Sequence, residues 1–187
     1  MRKIVYATTN PGKFAEVASL FASQGIVIHP SSEFGINLDV EETGSTLEEN
    51  AILKAEAYRD AIVDDVITLG DDTGLSITAL NGEPGIHVRR WKGYKMTDQE
   101  IMTYCLERMK NVKEGQRQAT FRTVIAVACN KYATKLFSGD LTGEILTEPT
   151  NVREEGMPFR AIFNMTSPNH RETAILATLP YLATLQN

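Results

Sequence analysis

The sequence predicts a mixed α/β fold with a central antiparallel section of long strands. Two observations carry that expectation. Segments of strand character and segments of helical periodicity alternate through the first half of the chain. Residues 119–127 then alternate with period two, and residues 132–142 read as their hairpin partner.

Taken in order, residues 3–8 are rich in β-formers and end in Thr8-Thr9-Asn10-Pro11-Gly12, a strand followed by a tight turn. Phe14, Val17, Ala18 and Phe21 recur at i, i+3, i+4 and i+7, the apolar stripe of a helix. Asn10 is suited to cap that helix and Pro11 to be its first residue. Gly25 is a natural stop, and residues 26–28 read as a second strand. A polar stretch over 31–45 follows. Thr46-Leu47-Glu48-Glu49 has the form of a capping box and opens a helix running to about Ala61. Residues 66–69 form a short apolar strand with Gly70-Asp71-Asp72-Thr73-Gly74 at its end, and Leu75-Ser76-Ile77 resumes extended structure. Gly82-Glu83-Pro84-Gly85 is a turn, and residues 97–109 are helical, with Asp98 and Glu100 near the start. In the long strand, Phe121, Thr123, Ile125 and Val127 share one face; Thr120, Arg122 and Val124 share the other. Residues 157–163 are irregular and then apolar. A helix over 172–185 closes the chain, with Pro180 expected to kink or shorten it. No repeat, low-complexity tract or linker interrupts this pattern, so one domain over residues 1–187 is expected.

A chain of 187 residues, 42% hydrophobic and 23% charged, can bury a core without staples. The net charge of -5 argues against a protein that coats nucleic acid. It leaves a free nucleotide open, because a few cations and one metal ion can hold a triphosphate. Cys105 and Cys129 lie far apart in no metal-binding spacing and read as reduced thiols. No apolar run approaches a membrane span, and Met1-Arg2-Lys3 leads directly into Ile4-Val5-Tyr6 without a leader core. A cytoplasmic protein is expected.

Four clusters could carry chemistry. Thr8-Thr9-Asn10-Pro11-Gly12-Lys13 runs from a strand into a helix N-terminus, where unpartnered N–H groups and the macrodipole attract an anion and Lys13 adds a full charge. The same residues also suit a capped helix with a surface lysine, and no Walker loop is present. Asp71 and Asp72 offer hard oxygens of the kind Mg²⁺ takes, or else form an acidic turn. Because adjacent strand residues face opposite ways, one can bind metal while the other does something else. Glu41 or Glu42 could add a second carboxylate, and Lys54 a phosphate ligand; both readings compete with plain solvated charges. Asn169-His170-Arg171 offers a donor fork and a donor–acceptor ring just before the last helix.

The order and spacing of these clusters resemble the inosine triphosphate pyrophosphatase (Ham1-like) family, which acts on deaminated purine nucleotides. The matching segments are Ala7-Thr8-Thr9-Asn10-Pro11-Gly12-Lys13, Glu41-Glu42-Thr43-Gly44-Ser45-Thr46 and Glu49-Asn50-Ala51-Ile52-Leu53-Lys54-Ala55. They continue with Asp71-Asp72-Thr73-Gly74-Leu75, Leu80-Asn81-Gly82-Glu83-Pro84-Gly85, Gln116-Arg117-Gln118-Ala119-Thr120-Phe121 and His170-Arg171. The resemblance implies a homodimeric α/β fold with a long mixed central sheet flanked by helices, and two lobes with a nucleotide cleft between them. It implies hydrolysis of ITP, dITP and XTP between the α- and β-phosphates. Thr8, Thr9, Asn10, Pro11, Gly12, Lys13 and Lys54 would hold the triphosphate. Glu41 and Asp72 would hold Mg²⁺, with Asp71 beside them and Asp72 as proton acceptor. Thr73 would contact the substrate, and Met157, Phe159, Arg160, His170 and Arg171 would line the base pocket.

The sequence departs from this family at one end. Where the family carries Gly-Phe-Gly-Tyr/Trp-Asp-Pro, this chain has Gly156-Met157-Pro158-Phe159-Arg160-Ala161. The stacking aromatic becomes Met157 and the acid becomes Arg160. Ser-His-Arg-Gly becomes Asn169-His170-Arg171-Glu172, the intervening loop is shorter, and a base-contacting lysine has no clear counterpart. The expectation is that the triphosphate chemistry is kept and the base preference has shifted or relaxed. A non-catalytic nucleotide-binding protein is the alternative from another class. Retention of Glu41, Asp72, Lys13 and Lys54 argues against it.

Overall fold

The computed structural model describes residues 2–166 and 168–186. Strand β1 (Ile4–Ala7) is fully buried and leads through residues 8–10 into α1 (Pro11–Ser23). The predicted cap is present: Asn10 Oδ1 accepts from the Lys13 N–H at 3.1 Å. Val17 and Phe21 are the buried members of the stripe. Strand β2 covers Ile28–Pro30, not 26–28. Gly25 takes the left-handed conformation, with φ 71°, and the Ile26 N–H turns back to the Phe21 carbonyl at 2.9 Å. Ile26 therefore closes the helix, and pairing with β1 begins at Ile28.

Helix α2 (Leu47–Ala61) is capped by Thr46, whose side chain accepts from the Glu49 N–H. The reciprocal half of the expected box goes elsewhere. Glu49 Oε2 accepts from the Ser45 N–H at 2.6 Å and from its hydroxyl at 2.8 Å. Complete capping boxes occur instead on α3 (Asp98–Arg108), from Thr97 and Glu100, and on α4 (His170–Leu185), from Asn169 and Glu172. The latter starts α4 two residues before the predicted position. The helix continues through Pro180 because that residue and Leu176, whose carbonyl loses its donor, are both exposed.

The largest difference from the sequence reading is β3 (Ile67–Ile77), one unbroken strand of 11 residues. Gly70-Asp71-Asp72-Thr73-Gly74 is its middle, not a turn at its end. The glycines serve close approach: a Cβ on Gly70 would come within 2.5 Å of the Ala55 nitrogen in α2. One on Gly74 would meet the Gly85 carbonyl at 2.9 Å. Strand β4 (Pro84–Gly85) pairs with the far end of β3, while β5 (Gln118–Cys129) pairs antiparallel along nearly its whole length. The β5–β6 hairpin is formed as predicted, with β6 covering Tyr132–Glu144.

The sheet order is β2-β1-β3-β5-β6, mixed because β1 is parallel to β2 and β3 and the rest is antiparallel. Both faces of its first half are covered. On one face, α1 and α4 bury Phe21, Leu69, Ile125 and Ile175; on the other, α2 packs Ala51 and Ala55 on Val124 and Ala126. A separate core around Leu75, Ile77, Ile101, Phe121 and Ile162 fills the second half beneath α3. β3 and β5 contribute to both halves. Among the described residues no helix is long and apolar enough to cross a membrane.

Candidate active site

The site is built where β3 loses a neighbour. Strand β1 pairs with it only as far as Ala7 opposite Gly70, and β4 takes up the same edge from Leu75. Of the residues between them, 71–73 border a cleft of about 860 Å³. Strand alternation sends Asp71 and Asp72 to opposite faces, and each meets a lysine from a different helix.

On the α1 side, Lys13 Nζ lies 2.8 Å from Asp71 Oδ1, and Arg171 Nε donates to Oδ2 at 3.2 Å. Burial alone would raise the Asp71 pKa, but Lys13, Arg171 and Lys54 override it and hold this carboxyl well below the usual carboxylate range. Burial lowers the pKa of Lys13 despite Asp71. On the α2 side, Lys54 Nζ donates to Asp72 Oδ1 at 2.9 Å and to the Asp71 carbonyl at 2.9 Å, and lies 2.6 Å from Glu42 Oε1. Burial opposes the Lys54 charge, yet Asp72, Asp71 and Glu42 raise its pKa. Asp72 itself is pushed up, by burial first, with Glu42 adding to it against Lys54. Asn50, one turn before Lys54 on the same helix face, donates to Asp72 Oδ2 at 3.3 Å and accepts from the Gly44 N–H at 2.8 Å.

The start of α4 closes one wall. Arg171 Nη1 reaches Glu16 Oε2 at 2.5 Å and Nη2 reaches the Thr73 hydroxyl at 3.3 Å, so all three of its nitrogens have partners. The His170 ring stacks on Phe121, with centroids 4.9 Å apart and planes at 16°. Its Nδ1 lies 2.6 Å from the Thr123 hydroxyl, which pairs in turn with Thr73 at 2.8 Å. Burial, and then the Arg171 charge, push the His170 pKa down to about 3, so the ring is neutral near pH 7. Opposite, the Gly156 peptide is clamped. Its N–H donates to Asp98 Oδ2 at 2.7 Å, and its carbonyl accepts from Arg89 at 3.1 Å and Asn10 at 3.3 Å.

A model of the Ham1 family matches residues 4–178. The chain belongs to the Ham1 family. It is 37% identical over 163 residues to a protein of Bacillus subtilis (strain 168) named dITP/XTP pyrophosphatase, spanning 87% of this chain and 80% of that one. A protein of the same name from Staphylococcus epidermidis (strain ATCC 35984) is 36% identical over 97% of each chain. Among solved structures, a HAM1 protein from Coxiella burnetii superposes with a TM-score of 0.79 at 33% identity, over 98% of this chain and 100% of that one. The Ham1 protein of Staphylococcus aureus gives a TM-score of 0.76 at 34% identity, over 98% and 99%.

In this Ham1 fold every residue singled out from the sequence for the site lines this cleft except Gly12 and Asn169, the latter serving as the cap of α4. Gly12 stands just behind it, where a Cβ would come 2.6 Å from the Glu155 carbonyl. Glu41 and Glu42 both border the cleft, and Glu42 is the one paired with Lys54. Sequence reasoning missed Glu16, Asn50, Arg89, Asp98 and Gly156 as working parts. The spacings Lys13 to Glu16 and Asn50 to Lys54 place each pair on one helix face and were available signals. Nothing in the sequence marks Arg89 or Asp98. Among the described residues no three His, Cys, Asp or Glu side chains converge as a ready metal centre. The donor set nevertheless suits Mg²⁺, which takes one or two carboxylates and completes its shell with phosphate oxygens and water. Asp72 and the Glu41-Glu42 pair supply such oxygens at the cleft wall.

Proposed function

We propose that the chain, as one domain over residues 1–187, is a cytoplasmic, homodimeric, Mg²⁺-dependent hydrolase of deaminated purine nucleoside triphosphates such as ITP, dITP and XTP. It releases the monophosphate and pyrophosphate. The observation that carries this reading is the pair of lysine–carboxylate contacts, Lys13–Asp71 and Lys54–Asp72, on opposite faces of one strand beside the α1 N-terminus. Two lysines and a helix N-terminus at one cleft wall suit a polyanion. The relatives named dITP/XTP pyrophosphatase support the purine class.

In this reading Thr8, Thr9, Asn10, Pro11 and Gly12 cradle phosphate oxygens with Lys13 and Lys54. Glu41 and Asp72 hold the Mg²⁺, while Asp71 gives its two oxygens to Lys13 and Arg171. The metal supplies charge neutralisation on the phosphates and a more acidic water. Asp72 takes the proton of the attacking water, its carboxylate held at the cleft wall by Lys54 and Asn50. Lys54 keeps its charge through the reaction and meets the negative charge on the transferred group. Thr73, His170 and Arg171 shape part of the wall against which the nucleoside lies, and Met157, Phe159 and Arg160 continue it through Phe121 and Glu16.

The test is pyrophosphate release from ITP with Mg²⁺. Asp72→Asn, with an unchanged circular dichroism spectrum, should lower kcat by about 10²–10⁴-fold, and chelation of Mg²⁺ should stop the wild-type reaction. Undiminished turnover in Asp72→Asn removes Asp72 from the role of base.

A further inference from the structure

Tyr6 carries a polar atom that the site described above does not use. Its side chain is fully buried in the core cluster that holds Phe21, Leu69 and Ile175. Among the described residues its hydroxyl is the one buried side-chain polar atom without a hydrogen-bond partner. A buried donor left unpaired destabilises a protein, and phenylalanine would fill nearly the same space without one. The hydroxyl is thus a cost to the free protein that another state must offset.

Its position says which state. Tyr6 stands opposite Leu69 where β1 pairs with β3. Asp71, two residues farther along β3, lies on the same face. The charged groups around the hydroxyl are Asp71, Arg171 and Glu16, and it hydrogen-bonds to none of them. Burial first, and then the charge of Asp71, hold the phenol pKa well above its ordinary value, so the hydroxyl keeps its proton to donate. Asp71 already has two partners: Lys13 Nζ at 2.8 Å on Oδ1 and Arg171 Nε at 3.2 Å on Oδ2. The two differ in freedom. The Lys13 side chain is 20% exposed and borders the cleft, whereas Arg171 is buried with all three nitrogens engaged. When Lys13 turns toward a phosphate, Asp71 Oδ1 loses its nearest donor in a buried setting, and Arg171 has no idle nitrogen to replace it.

We propose that Tyr6 is a positioning residue whose hydroxyl donates to Asp71 when Lys13 leaves that carboxylate for the substrate. This rests on the triphosphate reading above, in which Lys13 holds a phosphate. The handover exchanges one hydrogen-bond donor for another and transfers no proton. It keeps Asp71, and through it Arg171, in place while Lys13 is engaged.

The experiment is a cycle of wild type, Tyr6→Phe, Lys13→Met and the double variant, followed by thermal unfolding without nucleotide. With Lys13 present, Tyr6→Phe should leave Tm unchanged or raise it by up to about 4 °C, because only an unpaired hydroxyl is removed. In the Lys13→Met background Asp71 depends on Tyr6, and the same substitution should lower Tm by about 2–4 °C. This dependence on Lys13 is a readout that plain core packing would not give. With Mg²⁺ and ITP, Tyr6→Phe alone should raise KM about tenfold and keep kcat within about twofold, since the handover stabilises bound substrate and transition state alike. Lys13→Gln takes the place of Lys13→Met if the latter does not fold. A lower Tm in Tyr6→Phe alone, no loss of Tm in the Lys13→Met background, or an unchanged KM for ITP overturns the assignment. Failure of the reaction reading looks different: the wild type then releases pyrophosphate from no purine triphosphate. The unfolding cycle uses no nucleotide and still decides whether Tyr6 replaces Lys13 at Asp71.

Discussion

Acidification should destabilise this protein well before its carboxylates titrate, and His170 is the reason. The ring is 3% exposed, and its pKa falls from 6.5 to about 3 on folding. Between those values the unfolded chain binds a proton at this residue and the native state does not. Stability therefore rises with pH across the window and is lost as pH falls from 6.5 toward 3. Each unit of difference is worth about 1.4 kcal/mol, so acidification from pH 7 to pH 5 should remove about 2 kcal/mol through His170. The full effect, near pH 3, is roughly 5 kcal/mol. Urea unfolding followed by circular dichroism at pH 7, 6, 5.5 and 5 reads it, with His170→Asn as reference. Asn169 remains to cap α4, and the new amide can meet the Thr123 hydroxyl. Asp72, with its raised pKa, works in the opposite sense nearer its own titration, and it is present in both proteins. The wild type should lose stability more steeply than the variant, by about 1.4 kcal/mol per pH unit below pH 6. Identical slopes would mean that His170 is protonated in the folded protein, and the argument from its burial would fail.

Two further perturbations test the frame of the site. Asp71→Ala leaves Lys13 and Arg171 without their shared carboxylate in a buried setting; it should cost about 3–5 kcal/mol in urea unfolding, and a loss below about 1 kcal/mol would contradict the pairing. Gly70→Ala sets a methyl group against the α2 backbone; it should cost at least about 1–3 kcal/mol in Tm-derived stability and lower activity as well, because α2 carries Asn50 and Lys54. A fully stable and active Gly70→Ala would show that α2 can move away freely.

The parts of this fold written locally were readable. Asn10 lies three residues before the N–H it caps, and Phe14, Val17 and Phe21 announce their helix by spacing alone. The continuity of β3 was not, because Gly70 and Gly74 look like punctuation in a one-dimensional string. Their purpose is tertiary: one admits α2 and the other admits Gly85. The cleft divides in the same way. Lys13, Lys54 and the two aspartates stand in segments whose order carries the family resemblance. Glu16 works through a contact with Arg171, 155 residues away, and Arg89 through one with Gly156, 67 residues away. No local pattern encodes such distances. They also explain why Arg171, expected at the base, is occupied with Asp71, Glu16 and Thr73.

The uncovered stretch of β3 has a mechanical meaning. Below it the strand is braced by β1 and three helices; above it, by β4 and the α3 core. At about 3.3 Å per residue the four unbraced residues span about 13 Å, supported on one edge by β5 alone. Such a span is the natural torsional joint of a beam clamped at both ends. The lysines sit on the lower clamp and the Asp98 anchor of Gly156 on the upper one, so twist at the joint changes the gap between them. A nucleotide lodged across that gap would act as the missing brace, stiffening the beam at the place where the carboxylates project.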